Sequence, residues 1–487
     1  MAIILPANTL AASGFSVDNS CRFNGDAYLH KTVGTPTNAD KYTLSVWIKR
    51  SILTSFGPDN AQYIMSYDGG GNPREHIRFN DSTDTLNWYF RDSGGTATNL
   101  TTNQEFRDVS AWYHFVFVYD SGQAVAANRQ TIYCNGAEIT SFSSSGYVAQ
   151  DTDSNLNSNV SVKIGAIGTG SPSVYSSQYL SEVVFLDGQT LAASNFGEYD
   201  EDSPTIWKPK DVSTLTFGDN GFYLDFEDSA NLGNDANGGT DWTEVGLAAT
   251  DQTTDSPTNN FATWNPSWRW RLDNDTQYSE GNTYAYFSTA SDRGFAFSSM
   301  AVSAGKWYWE VKLPTVGRMY CGVGDANVVA GFNNGPWDET GSAGASYSLT
   351  IRASNGKIQT EGSTETTYAN AASDGDIIMF ALDMDNHRLW YGINGTWQDS
   401  GDPTSGATGT GDVTTQIGTQ VHLTQSDFIS PCVGDPSTAG GSTSEVNFGN
   451  PAFAITSGNT DGTYGNFEYA VPSGFKALCT KNLAEYG

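Results

Sequence analysis

Asp225 and Glu227 are the residues in this sequence whose type and spacing come closest to a hydrolytic site. They lie two positions apart at the end of the strand-like run 221–226, and residues two apart on a strand share a face at a separation of about 6.6 Å. Hydrolysis of a glycosidic bond uses two carboxyl groups about 5–9 Å apart in a cleft. The spacing permits a catalytic pair, although a solvated strand in an acidic connector explains the same two residues.

The other residue types that perform catalysis or bind metals lack the required spacing. The five histidines form no i,i+4 or His-x-His pair, which argues against a metal triad. The Gly-rich runs at 68–71 and 439–441 have no following Lys and helix, so they do not resemble phosphate loops. The five cysteines are widely spaced, which favours buried free thiols. We expect no catalytic residue, no metal site and no cofactor, and leave open a structural Ca²⁺ ion.

The composition is that of a turn-rich β protein with an acidic surface. Only 16% of the 487 residues are charged, whereas 13% are aromatic and 52 are Gly. The 54 acidic residues outnumber the 24 Lys and Arg and give a net charge of −30. Phosphate backbones and anionic membranes attract basic surfaces, so we expect no nucleic-acid partner and no membrane insertion. No secretory signal precedes Pro6, so synthesis in a cytoplasm is expected.

The run 305–313 indicates how such a chain folds. Trp307, Trp309 and Val311 alternate with polar residues, which is typical of a half-buried strand. Each tryptophan buries roughly 200 Å², so a second apolar layer must face this strand. The sequence therefore predicts a two-layer sandwich. The run 42–49 alternates in the same way, with Tyr42, Leu44, Val46 and Ile48 on one side.

Strand patterns of this kind divide the chain into five parts. We predict an N-terminal arm (1–18), a first sandwich (19–191), an ordered acidic connector (192–266), a second sandwich (267–453) and a C-terminal tail (454–487). The arm could instead be the first strand of the following domain. The connector is expected to be ordered and packed on one or both sandwiches, because it holds a strand-like run and three tryptophans that need burial. The end of the tail, 472–480, is predicted to form one closing strand.

The first sandwich resembles the laminin-G-like, concanavalin-A-type jelly rolls. The matching pieces are Phe23-Asn24-Gly25, Thr43-Leu44-Ser45-Val46-Trp47-Ile48, Trp112-Tyr113-His114, Tyr133-Cys134-Asn135-Gly136, Ile164-Gly165 and Leu180-Ser181-Glu182-Val183. The resemblance implies a fold class of all-β, concanavalin-A-like sandwiches. Jelly-roll β-glucanases of this superfamily carry three alternating acids on one strand. Here Tyr223 stands before Asp225, so the resemblance does not extend to a catalytic strand.

The second sandwich resembles the SPRY (B30.2-like) family. The matching pieces are Gly305-Lys306-Trp307-Tyr308-Trp309-Glu310-Val311, Gly322-Val323-Gly324, Asp383-Met384-Asp385, Leu389-Trp390-Tyr391-Gly392-Ile393-Asn394-Gly395, Pro431-Cys432-Val433 and Val446-Asn447-Phe448-Gly449. SPRY domains are binding modules that recognise partners mainly through loops, so the resemblance implies recognition and not catalysis. Aromatic residues beside Asn and Asp in loops are typical of the sugar-binding sites of lectin-like sandwiches. The six candidate ligand-binding residues are Trp337, Asn333, Asn334, Asp338, Trp88 and Trp397. Trp337 could alternatively cap the sandwich core.

The domain pair resembles marine bacteriophage virion proteins, as do the segments 217–226, 241–245, 259–263 and 475–480. This resemblance implies a non-enzymatic structural protein located in the virion, such as a tail or head fibre or a capsid decoration. The partners it implies are other virion proteins, further copies of the chain, with a trimer favoured, and a host surface glycan. A carbohydrate-active enzyme and a SPRY-type peptide-binding adaptor are the alternatives.

Overall fold

The computed structural model describes residues 14–53, 61–201, 203–268, 276–288, 294–326, 348–360, 365–416, 421–424, 428–435 and 441–487. These residues form an all-β protein, as predicted, with two compact units divided between Asn259 and Asn260. We call residues before this division the first unit and residues after it the second unit. The predicted N-terminal arm lies largely outside the described residues.

The described residues of the first unit form twenty strands. They are β1 (Ser20–Asn24), β2 (Tyr28–Thr32), β3 (Lys41–Arg50), β4 (Gln62–Asp68), β5 (Arg74–Phe79), β6 (Thr85–Arg91), β7 (Ala97–Glu105), β8 (Trp112–Asp120), β9 (Gln130–Cys134), β10 (Ala137–Glu138), β11 (Phe142–Ser145), β12 (Ser161–Ile164), β13 (Ala166–Ile167), β14 (Val174–Tyr175), β15 (Ser177–Asp187), β16 (Gly197–Tyr199), β17 (Trp207–Pro209), β18 (Phe222–Leu224), β19 (Thr243–Val245) and β20 (Gln252–Thr253).

Two large antiparallel sheets enclose the core of the first unit. Sheet A has the order β10-β9-β8-β3-β15-β1-β20, with β18 also paired to β15, and sheet B has the order β11-β7-β6-β5-β4-β12-β2-β19. The predicted inward face of β3 is confirmed, because Tyr42, Leu44, Val46 and Ile48 all lie in the core. Alternation of side chains along each strand leaves the intervening residues of sheet B on its outer face.

The predicted acidic connector is not a separate element. β18 pairs with β15, β19 with β2 and β20 with β1, so these strands extend both sheets of the first unit. Burial of Phe222, Leu224 and Trp242 in the core explains why this acidic segment is ordered. The expectation of an ordered, packed segment is thus confirmed, and most of this segment belongs to the first unit, which ends at Asn259.

In the second unit, the residues that the structure describes form fourteen strands and three short helices. They are β21 (Thr276–Ser279), β22 (Tyr284–Phe287), β23 (Gly294–Phe297), β24 (Lys306–Thr315), β25 (Tyr320–Asp325), β26 (Ser348–Arg352), β27 (Lys357–Thr360), β28 (Thr366–Thr367), β29 (Ile377–Asp383), β30 (Arg388–Ile393), β31 (Thr396–Trp397), β32 (Ile429–Asp435), β33 (Thr443–Asn447), β34 (Lys476–Ala477), α1 (Val413–Gln416), α2 (Val421–Thr424) and α3 (Thr480–Tyr486).

These strands form sheet C, with the order β21-β22-β33-β24-β29-β30-β31, and sheet D, with the order β23-β32-β25-β26-β27-β28. The prediction for β24 is confirmed, since Trp307, Trp309 and Val311 lie in the core between the sheets. Its opposite face is buried as well, because Tyr308 and Glu310 are 0% exposed. The chain that follows Phe453 covers this second face.

The predicted closing strand over 472–480 is largely wrong. Only β34 is a strand, pairing in parallel with β24, and α3 follows it. Phe467, Phe475 and Cys479 of this tail pack with Tyr308 and Trp390 on the outer face of sheet C. The tail is therefore an integral third layer of the second unit, because its aromatic residues gain burial there.

Candidate functional site

The structure describes two of the six predicted ligand-binding residues, Trp88 and Trp397. Trp337, Asn333, Asn334 and Asp338 lie outside the described residues. The expectation for Trp88 is wrong, because its side chain is 0% exposed in the core of the first unit. Its indole Nε1 donates a hydrogen bond of 3.1 Å to the Glu75 carboxylate. Trp88 lies on β6 and points into the core, so it does not belong to a loop.

Trp397 lies on β31 and is partly buried. Its ring meets the Tyr308 ring edge-on at 6.4 Å, beside the tail of the second unit. Trp88 and Trp397 thus belong to different units.

The carboxylates Asp225 and Glu227 have a third neighbour that the sequence did not reveal. Glu182 lies at a bulge of β15 and accepts a hydrogen bond of 2.8 Å from the Tyr223 hydroxyl. Burial raises the pKa of Glu182 from 4.5 to about 8, and the nearby charges of Asp225 and Glu227 add to this rise. The pKa of Glu227 is also raised, chiefly by Asp225. The cluster disfavours ionisation of Glu182 at neutral pH.

This cluster makes the stability of the first unit depend on pH. Because the folded-state pKa of Glu182 lies above its unfolded value, the folded form retains a proton that the unfolded chain releases. Stability should be lost as pH rises from about 4.5 to about 8, by about 1.4 kcal/mol per pH unit. Glu182→Gln removes this titration and keeps an acceptor for Tyr223. We expect the variant to gain stability over the parent chain progressively in urea unfolding between about pH 5 and pH 8. A stability difference that is constant with pH would contradict the assignment.

Ser45 and His114 are hydrogen-bonded side chains, but their arrangement excludes nucleophilic catalysis. The Ser45 hydroxyl lies 2.8 Å from His114 Nε2, and the Trp207 indole donates to His114 Nδ1 at 2.9 Å. Nδ1 must therefore be the acceptor nitrogen, so Nε2 carries the ring proton and cannot take one from Ser45. Burial lowers the pKa of His114 to about 3, which keeps the ring neutral. The pair fixes Trp207 against the outer face of sheet A.

The outer side of sheet B in the first unit contains a groove of about 440 Å³. This volume is within the range of pockets that hold small ligands, about 300–1,000 Å³. Strands β2, β4 and β12 form the floor and the loop after β13 forms one wall. The lining residues are Tyr28, His30, Tyr67, Asp68, Gly69, Ser161, Lys163, Thr169 and Gly170.

The polar groups of the groove are held in place by hydrogen bonds. Lys163 Nζ donates to the Gly168 carbonyl at 2.8 Å, and its burial lowers the pKa of the ammonium group, an effect that Asp68 opposes. The Asp68 carboxylate accepts several hydrogen bonds from Arg74, the nearest at 2.9 Å. The Tyr28 ring lies 5.7 Å from the His30 ring. Aromatic rings beside fixed donors and acceptors suit a small polar ligand such as a sugar.

The sequence alone does not predict this groove. Its residues come from segments around positions 28, 68, 163 and 169, which no local motif connects. The one local signal was the alternation of polar residues with buried ones along β4 and β12. That alternation marks an outer face without showing which strands lie side by side.

The described residues hold no group of three or more His, Cys, Asp or Glu side chains placed to bind a metal ion. None of the described helices is long and apolar enough to cross a membrane.

Comparisons with known proteins identify two domains. Residues 23–173 match the family model of the concanavalin A-like lectin/glucanases superfamily, a laminin-G type, and residues 306–419 match the SPRY domain model. Both domain resemblances expected from the sequence are confirmed. These are domains of binding type, which supports a binding role for the chain. A comparison with curated protein sequences finds no match.

Similar solved structures include the SPRY domain of human HERC1, with 18% identity, a TM-score of 0.25 and coverage of 38% of this chain and 96% of that chain. A heptameric SAP-like pentraxin from Limulus polyphemus has 20% identity, a TM-score of 0.27 and coverage of 36% and 78%. Domains LG4-5 of the mouse laminin alpha1 chain have 10% identity, a TM-score of 0.30 and coverage of 90% and 91%. Values this low assign no function to this chain.

Proposed function

We propose that the chain is a non-enzymatic carbohydrate-binding protein and a structural component of a bacteriophage virion, as a tail or head fibre or a capsid decoration. The observation that carries the binding role is the groove on sheet B. It lies within the domain that matches the lectin/glucanases superfamily and combines Tyr28 and His30 with fixed polar groups on Asp68 and Lys163.

The lining of the groove supports binding rather than hydrolysis. Glycosidases place two carboxyl groups about 5–9 Å apart at the scissile bond. Among the lining residues that the structure describes, Asp68 is the single carboxylate, and Arg74 already engages both of its oxygens. A sugar in this groove would form hydrogen bonds with the lining residues, but it would not lie between two carboxyl groups that could act as acid and base.

Filling the groove should abolish binding of a glycan without disturbing the core. Ser161 is an exposed lining residue on β12, so Ser161→Trp places an indole in the groove. We expect a loss of at least about tenfold in affinity for any glycan that the parent chain binds on a glycan array. Ser144→Trp, at an exposed position of β11 in the same sheet, is the matched control and should bind normally. Equal binding by the two variants would remove the groove from the proposal.

The virion role rests on the resemblance of the domain pair and its flanking segments to phage structural proteins. Its test is mass spectrometry of purified phage particles from the source of this sequence. Detection of the chain at a constant copy number per particle supports the proposal, and a stoichiometry divisible by three supports a trimer. Absence from purified particles would contradict the virion role and would leave a peptide-binding adaptor built on the SPRY domain as the better explanation.

A carbohydrate-active enzyme is the second candidate, and the cluster of Glu182, Asp225 and Glu227 favours it. A carboxyl group with a pKa near 8 beside two further carboxyl groups has the properties of a general acid with partners. Incubation of the full chain with polysaccharides, followed by an assay for new reducing ends, separates the two functions. If the parent chain produces new reducing ends and the Glu182→Gln variant does not, the chain is an enzyme.

A further inference from the structure

The strand register of sheet B places a row of polar and aromatic side chains beside the groove. Lys163 pairs with Ser66, Ser66 with His76, His76 with Tyr89 and Tyr89 with Asn99. Directly paired residues project to the same side of a sheet. The alternate residues of β5 and β6, such as Glu75, Ile77 and Trp88, are buried in the core, so this row lies on the outer face.

Basic residues flank this row. Arg74 and Arg78 lie two residues on either side of His76 on β5, and Arg91 lies two residues after Tyr89 on β6. Asp68 is paired with Arg74 at 2.9 Å. Within the described part of the chain, Arg78, Arg91 and Lys163 form no ion pair. Arg78 and Arg91 are therefore positive groups with no carboxylate at ion-pair distance, whereas Asp68 acts on the charge of Lys163 from farther away.

This concentration of positive charge is an exception in a strongly acidic protein. The chain has only 24 Lys and Arg against 54 Asp and Glu. In the first unit most other cations are already paired, as in the buried pairs Lys49–Asp255 and Arg50–Asp84. A net charge of −30 repels polyanions over most of the surface, so a face with uncompensated cations would select where an anionic ligand binds.

His76 provides a second, independent sign of a ligand. Its side chain is 4% exposed, and neither ring nitrogen has a hydrogen-bond partner. The ring stacks on Tyr89 at 4.9 Å and meets Tyr63 edge-on at 5.3 Å. Burial, together with Arg78 and Arg74, lowers the pKa of His76 well below its usual value, so the ring is neutral. It keeps one unused donor and one unused acceptor at the floor of the basic face.

Other groups on the face are suited to sugar hydroxyls. Arg78 donates to the Tyr63 hydroxyl at 2.9 Å, while its Nε is buried without a partner. Tyr89 and Asn99 are half-buried, so the ring and the amide are accessible from the outer side. Neutral hydrogen-bonding groups beside these cations can bind sugar hydroxyls, which favours an acidic sugar chain over a nucleic acid.

We propose that the outer face of sheet B binds an acidic polysaccharide, with a sugar in the groove beside Lys163 and carboxylate or sulfate groups at Arg78 and Arg91. The inference rests on the proposed carbohydrate-binding function and specifies its ligand class. Arginine binds carboxylate and sulfate through charge-assisted hydrogen bonds, so both anionic groups fit the same residues. Raised ionic strength should weaken the binding, because the cations are partly exposed to solvent.

Binding assays with the full-length chain test this proposal. The probes are alginate for carboxylates, chondroitin sulfate for sulfates, dextran and laminarin as neutral glycans, and single-stranded DNA for phosphates, each immobilised for biolayer interferometry. Arg78→Gln and Arg91→Gln should each weaken acidic-glycan binding by about tenfold. Lys210→Gln removes the same charge at an exposed site of the first unit away from sheet B and should bind normally. Thermal unfolding of each variant verifies that the fold is retained.

The outcomes separate this inference from the proposed function. Binding to alginate or chondroitin sulfate that both arginine variants weaken supports the inference, and the preferred probe identifies the anionic group. Equal binding of neutral glycans, unaffected by Arg78→Gln, overturns it while the carbohydrate-binding role survives. Tighter binding of DNA than of any glycan overturns it in favour of phosphate. If no glycan binds, the proposed binding function fails as well.

Discussion

Replacing Glu75 by alanine is expected to destabilise the first unit by about 4 to 5 kcal/mol. The carboxylate is fully buried and accepts five hydrogen bonds from three segments of the chain. The donors are the Tyr42 hydroxyl at 3.0 Å, the Trp88 indole at 3.1 Å, the Ser154 hydroxyl at 2.9 Å, and the amides of Asn155 at 2.7 Å and Leu156 at 3.2 Å.

Glu75→Ala leaves these donors without an acceptor in the core, where each unsatisfied group costs about 1–3 kcal/mol. Burial raises the pKa of Glu75, so the carboxyl group itself carries a desolvation cost that partly offsets the loss. Glu75→Gln keeps the side-chain volume but turns one acceptor oxygen into a donor. We expect about 3 kcal/mol of destabilisation for this variant.

Urea unfolding followed by tryptophan fluorescence measures the effect, because Trp88 reports on the same core. Glu138→Ala, at an exposed position of β10, removes the same charge and should change stability by less than about 0.5 kcal/mol. A Glu75→Ala chain within about 1 kcal/mol of the parent would show that the network does not stabilise the first unit.

Replacing Glu310 by alanine should release the tail of the second unit. Glu310 on β24 accepts hydrogen bonds from the Tyr308 hydroxyl at 2.9 Å and from the Asn447 amide group at 3.1 Å. It also accepts the backbone amides of Glu468 at 3.0 Å and Tyr469 at 2.8 Å. One buried carboxylate thus joins the central strand of sheet C to the segment that covers it.

We expect Glu310→Ala to destabilise the second unit by about 4 kcal/mol, because two backbone and two side-chain donors lose their acceptor. Hydrogen exchange at residues 466–469 should accelerate first, and limited proteolysis should remove the C-terminal segment. Glu485→Ala in α3 removes an exposed carboxylate from the same tail and should leave both measurements unchanged. Unaltered exchange in Glu310→Ala would contradict the anchoring role.

The two glutamates show where sequence reasoning fails for single residues. Glu75 stands between Arg74 and His76, and Glu310 stands between Trp309 and Val311. For both residues, charge alone predicts a solvent-facing position. Glu75 instead points into the core, and Glu310 lies under the tail. Both are buried because donors from segments distant in sequence converge on them, and no local pattern contains that information.

The sequence by itself determined the all-β class, the two domain types and the inward faces of the strands best defined by alternation. Side chains alternate with a period of two, so Tyr42 and Leu44 on β3, and Trp307 and Trp309 on β24, were placed in the cores from local spacing alone. Alternation also showed that each strand has an outer face, but it did not show which other strands lie beside that face.

Only the tertiary structure decided the lateral order of the strands and their register. Lys163 comes beside Ser66, His76 and Tyr89 because β12, β4, β5 and β6 pair in one register, although these residues are separated by up to 97 positions in the chain. The same long-range pairing assigned the acidic segment before Asn259 to the first unit. The physical reason is that alternation is a property of one strand, whereas a groove or a basic face is a property of neighbouring strands.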